Sequence, residues 1–438
     1  MAKRKSVYVC QECGYRSPKW AGRCPECGAW GSLVEEVLRE GRSNKNPRSF
    51  WVTPTLSKPL PIREVGKDRE ERFLTGIGEF DRVTGGGVVK GSVALVSGEP
   101  GIGKSTFLLQ ISSIFAKRGK ALYVTAEESP QQVALRADRL GIDEDNLLIL
   151  SENNLEEIEK HIKEVKPNFV VFDSIQTLYL PYIESSAGSV SQVRESTAFI
   201  TNLCKGMGIT AFIVGHVTKE GNIAGPKVLE HIVDAVFQFE GDRGYNFRIF
   251  KSLKNRFGST GELAVFEMTD RGLREVPNPS EFFLSERPKG KPGSVIFAGI
   301  EGSRPILLEV QALVTRAIFT TPQRRAKGIS PNRLSIIVAV LEKELGIPLR
   351  NFDVFVNVVG GVKVDEPAVD LPVATAIASS YYERPVKESI AVFGEIGLTG
   401  EVRRVKLEEL RLREAEKNGL EVISDVKRVE EIPEKLLV

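Results

Sequence analysis

The segment from residue 93 to residue 116 constrains the fold of this chain more than any other. An apolar run, Val93–Val96, is followed by the pattern G-x-x-x-x-G-K-S at residues 98–105 and then by apolar residues at helical spacing. In such a strand–loop–helix unit the glycines allow backbone N–H groups to face an anion, and the start of the helix adds a favourable dipole. An ordinary glycine-rich turn is the alternative, which the complete pattern disfavours. We therefore expect a nucleoside triphosphate site.

Each part of this loop has an expected partner on the nucleotide. Lys104 is expected to reach the outer phosphates of ATP, and the Ser105 hydroxyl is expected to hold Mg²⁺. The residues expected to bind the nucleotide are Gly98, Glu99, Pro100, Gly101, Ile102, Gly103, Lys104, Ser105 and Thr106.

Two carboxylates follow the next predicted strand, 120–125. A carboxylate at the end of a strand beside the P-loop strand can orient and deprotonate the attacking water. We assign Glu127 as this base and Glu128 as the second choice, because a shift of one residue turns the side chain away. The alternative is that Glu127 is an acidic residue at a helix N-terminus without a catalytic role.

Two further predicted strands end in polar residues. The apolar run 168–172 closes with Asp173, which is typical of the strand whose aspartate joins the Mg²⁺ shell of P-loop enzymes. Strand 211–216 ends with His216, a position from which a side chain can sense the γ-phosphate and couple hydrolysis to the next loop. The alternatives are a helix-capping role for Asp173 and a structural role for His216.

Four of the five cysteines fall in one N-terminal cluster, Cys10-x-x-Cys13 and Cys24-x-x-Cys27. In a reducing compartment two such knuckles favour a tetrahedral Zn²⁺ site, and the metal supplies the folding energy of a piece too small for a core. The fifth, Cys204, is expected to be a small core residue. Four neighbouring side chains are expected to contact a nucleic-acid strand or a partner protein: Lys19, Trp20, Arg23 and Trp30. For the two tryptophans, packing around the metal is the alternative.

Length and composition indicate how many domains carry these motifs. A chain of 438 residues with this ordinary composition is expected to form two or three globular domains. Its net charge of +2 means that any surface for nucleic acid must be a local patch. Because the sequence has no membrane-spanning apolar run and no signal-peptide core, we expect a cytoplasmic protein without a membrane partner. The expected domains are a ribbon at 1–35, a linker at 36–65, an ATPase domain at 66–275, a linker at 276–293 and a second αβ domain at 294–438.

Two Ser- and Gly-rich loops, 179–191 and 217–227, are expected to leave the same edge of the sheet. We expect the first loop to be flexible. We expect both loops, the second with Lys219 and Lys227, to bind the phosphate backbone of a nucleic acid without base specificity. A second candidate surface lies in the C-terminal part, where a solvated basic face is the alternative. It comprises Arg316, Arg324, Arg325, Lys327 and Arg333.

Lys254 and Arg256 alternate on a segment predicted to be extended, so their side chains face the same way. This segment is distant in sequence from the P-loop. We therefore expect both cations to project towards a triphosphate bound by a neighbouring copy of the chain, where they would stabilise the transferred charge in trans. The alternative is a solvated basic turn.

Taken together, these motifs resemble the bacterial RadA/Sms DNA repair family over the whole chain. The resemblance rests on the four-cysteine ribbon, on Gly98–Ser105, on Asp173–Thr177 and above all on Lys254-Asn-Arg-Phe-Gly258, the signature of the family. It implies a RecA-like α/β P-loop core with a small N-terminal zinc ribbon and an α+β, Lon-protease-like C-terminal domain. It also strengthens the nucleotide role of Lys254 and Arg256.

The same resemblance implies a function. The family is related to RecA and to replicative helicases, so we expect a hexameric, DNA-dependent ATPase that acts on single-stranded and branched DNA. It would process recombination intermediates and drive branch migration beside the RecA recombinase. An alternative is a nucleotide-switched platform that binds DNA and loads other proteins without translocation.

The C-terminal part resembles a Lon peptidase domain at 353–359, 366–378 and 394–402. The resemblance implies that a working site needs a serine in the turn 366–372 and a lysine shortly after 394–402. The turn has no serine, and Glu409 stands at the approximate lysine position. Without an activated Ser–Lys pair there is no acyl-enzyme route. We therefore expect a ring-forming and DNA-holding scaffold, with an ATP-dependent peptidase as the runner-up.

Overall fold

The computed structural model describes residues 5–11, 14–38, 71–216, 229–241, 246–318 and 321–438. The chain divides into two compact units, the first made of 1–240 and 246–275 and the second of 241–245 and 276–438. Cys13, the loop 217–227 and most of the linker predicted at 36–65 lie outside the described residues. Within the described part, no helix has the length and apolar character needed to cross a bilayer.

The N-terminal ribbon is a three-stranded antiparallel sheet in the order β2–β1–β3. Its strands are β1 (Lys5–Cys10), β2 (Arg16–Ser17) and β3 (Leu33–Leu38). The buried apolar cluster contains only Cys10, Cys24 and Leu33, with Tyr8, Tyr15 and Ala21 packed against it. Trp20 and Trp30 are 61% and 77% exposed, so the alternative in which they pack around the metal is wrong.

The larger part of the first unit is built on a nine-stranded sheet, preceded by a short hairpin. The hairpin pairs β4 (Arg72–Phe73) with β5 (Val88–Val89). The sheet strands are β6 (Val93–Gly98), β7 (Ala121–Thr125), β8 (Leu147–Ser151), β9 (Phe169–Asp173), β10 (Thr210–His216), β11 (Ala235–Glu240), β12 (Phe247–Asn255), β13 (Leu263–Thr269) and β14 (Gly272–Glu275). Their order is β14–β13–β12–β11–β6–β10–β9–β7–β8. The six strands from β11 to β8 in this order are parallel, and β12 to β14 are antiparallel.

Both faces of this sheet are buried, which is why its central strands are almost continuously apolar. On β9, for example, Phe169 and Val171 join one core cluster, whereas Val170 and Phe172 join the other. The helices that cover the faces are α1 (Gly78–Val83), α2 (Lys104–Ala116), α3 (Pro130–Arg139), α4 (Leu155–Val165) and α5 (Val190–Met207). Three of them, α3 to α5, begin at side-chain caps such as Ser129, which forms a capping box with Gln132.

The second unit is a mixed six-stranded sheet in the order β17–β18–β16–β15–β19–β22, with a separate β20–β21 hairpin. Its strands are β15 (Ser294–Glu301), β16 (Arg304–Arg316), β17 (Arg324–Lys327), β18 (Phe352–Val358), β19 (Ile390–Val392), β20 (Glu395–Ile396), β21 (Val402–Arg403) and β22 (Glu421–Val422). Its helices are α6 (Pro279–Leu284), α7 (Pro331–Glu344), α8 (Asp370–Tyr382), α9 (Glu408–Lys417) and α10 (Ile432–Lys435).

The segment 276–293, which the sequence suggests is a linker, differs from that expectation. It contains α6 and belongs to the second unit. Phe283 is 6% exposed, and the Ser280 hydroxyl accepts a hydrogen bond from the Leu307 backbone N–H at 3.1 Å. Pro279, one of the prolines that suggest a linker, therefore begins a short packed helix, because proline is well tolerated at the first helical position.

Candidate nucleotide site and metal centre

The loop between β6 and α2 has the geometry that phosphate binding requires. Gly101 and Gly103 have φ angles of 78° and 113°, in the left-handed region that glycine adopts readily. A Cβ on Gly103 would be strained by this φ angle and would also lie 2.7 Å from Cε of Met268, so position 103 favours glycine. The N-terminus of α2 has no side-chain cap, which leaves its first N–H groups for an anion. The loop therefore fits a triphosphate.

Lys104 is almost fully buried beneath this loop. Its Nζ donates to the carbonyl oxygens of Gly98 at 2.8 Å and Glu99 at 2.9 Å. Burial lowers the pKa of Lys104 to about 8, and the nearby charges of Asp173, Glu127 and Glu99 oppose that shift. The ammonium group thus lies among the acidic groups of the site and remains mainly protonated at neutral pH.

Asp173, the last residue of β9, is buried and hydrogen-bonded by two hydroxyl groups. The hydroxyl of Tyr123 on β7 donates to Oδ2 at 2.5 Å, and the Ser105 hydroxyl binds the same carboxylate. Burial raises the pKa of Asp173, and both hydrogen bonds oppose the shift. Burial and the charge of Asp173 raise the pKa of Tyr123 well above its usual value, so Tyr123 remains a donor. Ser105 and Asp173 together offer oxygen ligands that suit Mg²⁺.

Replacing Tyr123 with Phe is expected to raise the Mg²⁺ concentration for half-maximal ATPase activity about tenfold, because a hydrogen bond to a charged group contributes roughly 1.5–3 kcal/mol. The affinity for ADP measured in EDTA should stay the same, since Tyr123 contacts the carboxylate rather than the phosphate loop. Tyr182→Phe, at an exposed position, is the matched control. An equal loss of affinity with and without metal would contradict this role.

Glu127 follows β7 and is joined to the ends of β9, the adjacent strand, and of β10, the strand beyond it. The expectation that β7 lies beside the P-loop strand is wrong, because β9 and β10 stand between β7 and β6. Its Oε1 lies 3.2 Å from Nε2 of His216 at the end of β10 and also accepts a hydrogen bond from the Ser174 hydroxyl after β9. The pKa of Glu127 is lowered, chiefly by the hydrogen bond from His216, then by that from Ser174, while burial opposes the shift. The carboxylate is therefore ionised and held in one place at the carboxyl edge of the sheet.

Glu128, the second choice for the base, has a different environment. Its carboxylate pairs with Arg136 on α3, and its backbone N–H donates to the Thr125 hydroxyl at 3.0 Å. A carboxylate that is paired with a guanidinium is a weaker acceptor for a water proton. This arrangement favours Glu127 over Glu128.

Several residues at this edge are not apparent from the sequence. Tyr123 and Ser174 contact the two acidic residues, and Gln176 Nε2 donates to the His216 carbonyl at 3.3 Å. Arg248 on β12 is 8% exposed, and its Nε donates to the carbonyl of Ile102 in the phosphate loop at 3.0 Å. The position of Arg248 among the apolar residues Phe247, Ile249 and Phe250 was the one available signal for it.

Lys254 and Arg256 lie at the opposite, amino edge of the same sheet. Ala235 of β11 pairs with both Asn255 and Ala94, whereas Gly98 at the other end of β6 pairs with Phe239. The distance along the strand from residue 94 to residue 98 is about 13 Å, more than an arginine side chain spans. Within one copy, the structure therefore does not bring these two cations to the P-loop.

The three described cysteines of the ribbon converge on one point. The Sγ atoms of Cys10, Cys24 and Cys27 all lie within 4.8 Å of one another, and Cys10 and Cys27 are 3.7 Å apart. In a tetrahedral site with Zn–S bonds of about 2.3 Å, two sulfurs are separated by about 3.8 Å. Gly14 and Gly28 donate to the Cys10 and Cys24 carbonyls at 2.9 Å each, so the two knuckles share one geometry. The donor set fits Zn²⁺.

Cys27→Ser is expected to remove bound zinc and unfold the ribbon, because structural zinc supplies about 10–16 kcal/mol and the ribbon buries little else. Loss of amide protection at Cys10 and Cys24, which donate to Tyr15 and Ala29, would report unfolding by hydrogen exchange. Cys204→Ala is the control: burial raises the pKa of Cys204 to about 12, so its thiol does not bind zinc. Full zinc content in Cys27→Ser would refute the assignment.

The two predicted DNA loops have different outcomes. The segment 179–191 is held in place rather than flexible, because the buried Gln192 side chain donates to three carbonyls and accepts from the Leu180 N–H. Its last two residues belong to α5. The carboxyl ends of β9 and β10 are adjacent, so 217–227 starts from the same edge as 179–191. Lys219 and Lys227 lie outside the described residues.

The basic cluster of the second unit is smaller than the sequence suggests. Arg324 donates to the carbonyls of Gln323, Leu349 and Phe352, and Arg333 pairs with Asp370 at 2.8 Å. These two therefore hold the fold together. The exposed cations of the cluster are Arg316, Arg325 and Lys327.

The turn that corresponds to a Lon nucleophile carries a structural carboxylate. Asp370 accepts from Arg333 and from the Ile396 backbone N–H at 3.3 Å. Burial raises its pKa, while the hydrogen bond and charge of Arg333 oppose the shift. Glu409, at the approximate lysine position, is exposed and lies 3.9 Å from Arg413. These contacts supply neither a nucleophile nor its base.

Comparison with known proteins agrees with this architecture. Residues 8–35 match the rubredoxin metal binding domain family, 67–222 an AAA domain family, and 334–437 the C-terminal proteolytic domain of Lon protease (S16). A solved KaiC-like protein from Pyrococcus horikoshii OT3 has a TM-score of 0.41 and 22% identity, covering 48% of this chain and 100% of that one. The three family matches thus assign the chain an AAA-type ATPase domain, an N-terminal zinc ribbon and a Lon-type C-terminal domain.

Full-length relatives define the family. The chain is 57% identical over 420 residues to the DNA repair protein RadA of Aquifex aeolicus (strain VF5), covering 96% of this chain and 93% of the relative. It is 53% identical over 420 residues to the DNA repair protein RadA of Bacillus subtilis (strain 168), covering 96% and 92%. The chain belongs to the RadA family of DNA repair proteins.

Proposed function

We propose that this chain is the subunit of a ring-shaped, DNA-dependent ATPase that moves on single-stranded DNA. It promotes branch migration of recombination intermediates alongside RecA.

 

The observation that carries this proposal is the separation, on one sheet, of the P-loop at the carboxyl edge from Lys254 and Arg256 at the amino edge. A neighbouring copy can supply these cations only through a head-to-tail contact, and a repeated head-to-tail contact that closes forms a ring. The family resemblance favours six copies. Each ATP site would then be shared by two adjacent subunits.

Within such a site each residue has a defined task. Lys104 binds the outer phosphates, and Ser105 and Asp173 hold Mg²⁺, which when bound neutralises charge on the β- and γ-phosphates. Glu127, kept ionised by His216 and Ser174, orients the attacking water and accepts its proton. Lys254 and Arg256 of the next copy stabilise the charge on the transferred group.

His216 offers a route from hydrolysis to DNA. It contacts Glu127 at 3.2 Å through its ring, and the loop 217–227 follows it directly in the chain. Loss of the γ-phosphate would change the surroundings of Glu127 and thereby the position of His216. We propose that this change moves the loop along the DNA backbone, which a protein can follow without reading bases.

The test compares ATPase rates with and without single-stranded oligo(dT), followed by branch migration on synthetic junctions carrying RecA. DNA should stimulate the parent, and Lys104→Ala should abolish both ATPase activity and movement. ATP-dependent DNA binding without directional movement would instead favour the loading platform. A monomeric protein whose ATPase rate is the same with and without DNA would overturn the proposal.

A peptidase is the second candidate, because residues 334–437 match a Lon proteolytic domain family. The contacts of Asp370 and the exposed position of Glu409 argue against it. Incubation with casein and ATP separates the two functions. Cleavage that Lys104→Ala abolishes would favour the peptidase, and intact casein would favour the scaffold role.

A further inference from the structure

Asp234 is a buried carboxylate at the point where β11 begins, and it joins three parts of the ATPase domain. It is 3% exposed. Its Oδ2 accepts from the Val93 backbone N–H at 3.1 Å, and its own N–H donates to the Val93 carbonyl at 2.9 Å. Its Oδ1 accepts from Lys205 Nζ at 2.7 Å and from Arg256 Nη1 at 3.2 Å.

Residues 230–234 hold both cations of the signature, Lys254 and Arg256, in place. The Arg256 backbone N–H donates to the Asp234 carbonyl at 3.1 Å, so main chain and side chain of Arg256 are tied to one residue. Lys254 Nζ donates to the carbonyls of Glu230 and of Val233, the latter at 2.8 Å. Lys254 and Arg256 therefore take their positions from residues 230–234.

We infer that Asp234 is a positioning residue that holds the Arg256 guanidinium ready for a triphosphate bound by the adjacent copy. The inference rests on the proposed trans role of Arg256. The Arg256 side chain is 52% exposed, and without a fixed partner a long exposed side chain would lose its rotamer freedom only on reaching the nucleotide. Since Asp234 also binds Val93, the first residue of β6, it ties the cation to the strand that carries this copy's own P-loop.

Asp234→Asn keeps an oxygen that can accept from Val93 but removes the charge that holds Arg256. We expect kcat to fall about tenfold, a fraction of the effect of an arginine finger, with an unchanged KM for ATP. In an Arg256→Ala background the same substitution should have no further effect on kcat. Additive losses in the double variant, or a raised KM, would indicate a general structural role and overturn the inference.

Rings assembled from two coexpressed variants distinguish a failure of this inference from a failure of the proposed function. Lys104→Ala subunits lack a working P-loop but present an intact Asp234 and Arg256, so coexpression should restore activity to the P-loops of Asp234→Asn subunits. Arg256→Ala subunits should be rescued in the same way. Rescue of Arg256→Ala but not of Asp234→Asn would overturn the inference alone, whereas rescue of neither would also remove the trans mechanism.

A matched ion pair on the same sheet provides the control. Arg274 lies 2.5 Å from Glu267, and Glu267 pairs with Phe247, at the opposite end of β12 from the signature segment. Glu267→Gln removes the carboxylate charge from an arginine just as Asp234→Asn does. It should leave kcat unchanged, and a loss equal to that of Asp234→Asn would show that the effect is not specific to Arg256.

Discussion

Glu127→Gln is expected to lower kcat for ATP hydrolysis about 100- to 10,000-fold, the range that a general base contributes, while ATP still binds. Glutamine has nearly the same shape, so it can still approach His216 and Ser174, but its amide cannot accept a proton from water. Lys104 and the phosphate loop remain intact. The measurement is the steady-state rate together with the affinity for a fluorescent ATP analogue.

Glu128→Gln is the matched control for this prediction. The adjacent carboxylate pairs with Arg136 rather than facing His216, so its loss should change kcat less than about threefold, as expected of a partly exposed ion pair. If Glu128→Gln were the more damaging substitution, the assignment of the base would be reversed. If both variants kept full activity, the base would lie elsewhere.

The carboxyl ends of parallel strands meet at one edge of a sheet. The sequence alone therefore indicates that the acidic residues Glu127 and Asp173 lie at the same edge. Glu127, Asp173 and His216 each follow or end an apolar run, and the structure places Glu127 beside His216 and both acids within reach of the Lys104 charge. Their location at one edge is therefore confirmed. Their catalytic roles stay predictions.

The sequence alone does not identify the residues that hold these groups in place. Tyr123 looks like any buried strand residue, and its bond to Asp173 exists because β7 and β9 are neighbours with Thr125 opposite Asp173. Arg248 reaches Ile102 because β12 folds back antiparallel beside β11. Strand order and register, which depend on the whole fold, decide such contacts.

Composition alone likewise does not predict whether a segment is flexible. Ser- and Gly-rich residues 179–191 suggest flexibility, but the buried side chain of Gln192 in α5 binds their backbone. A backbone that is hydrogen-bonded from outside its own segment is ordered whatever its composition. Lys254 and Arg256 were recognisable as a motif, yet only the pairing of β11 with β6 and β12 shows which edge of the sheet carries them.

Arg256→Ala is expected to lower kcat about 1000-fold, as loss of an arginine finger does, while each copy retains its affinity for ATP. The reason is the position of Arg256 at the amino edge of its own sheet, which places it away from its own triphosphate. Arg256→Lys should recover only part of the rate, because an ammonium group lacks the planar fork of a guanidinium. Arg274→Ala, at an arginine that is also exposed and paired with one acid, should be nearly neutral.

The dependence of this loss on protein concentration distinguishes a finger acting in trans from a local structural residue. If the site is shared, the parent must lose activity on dilution as its ring dissociates, whereas Arg256→Ala has little activity left to lose. Mass photometry on the same samples would show whether the variant still assembles, which separates lost chemistry from lost assembly. A parent that hydrolyses ATP at full rate as a monomer would exclude a shared site, because Arg256 cannot reach the P-loop of its own copy.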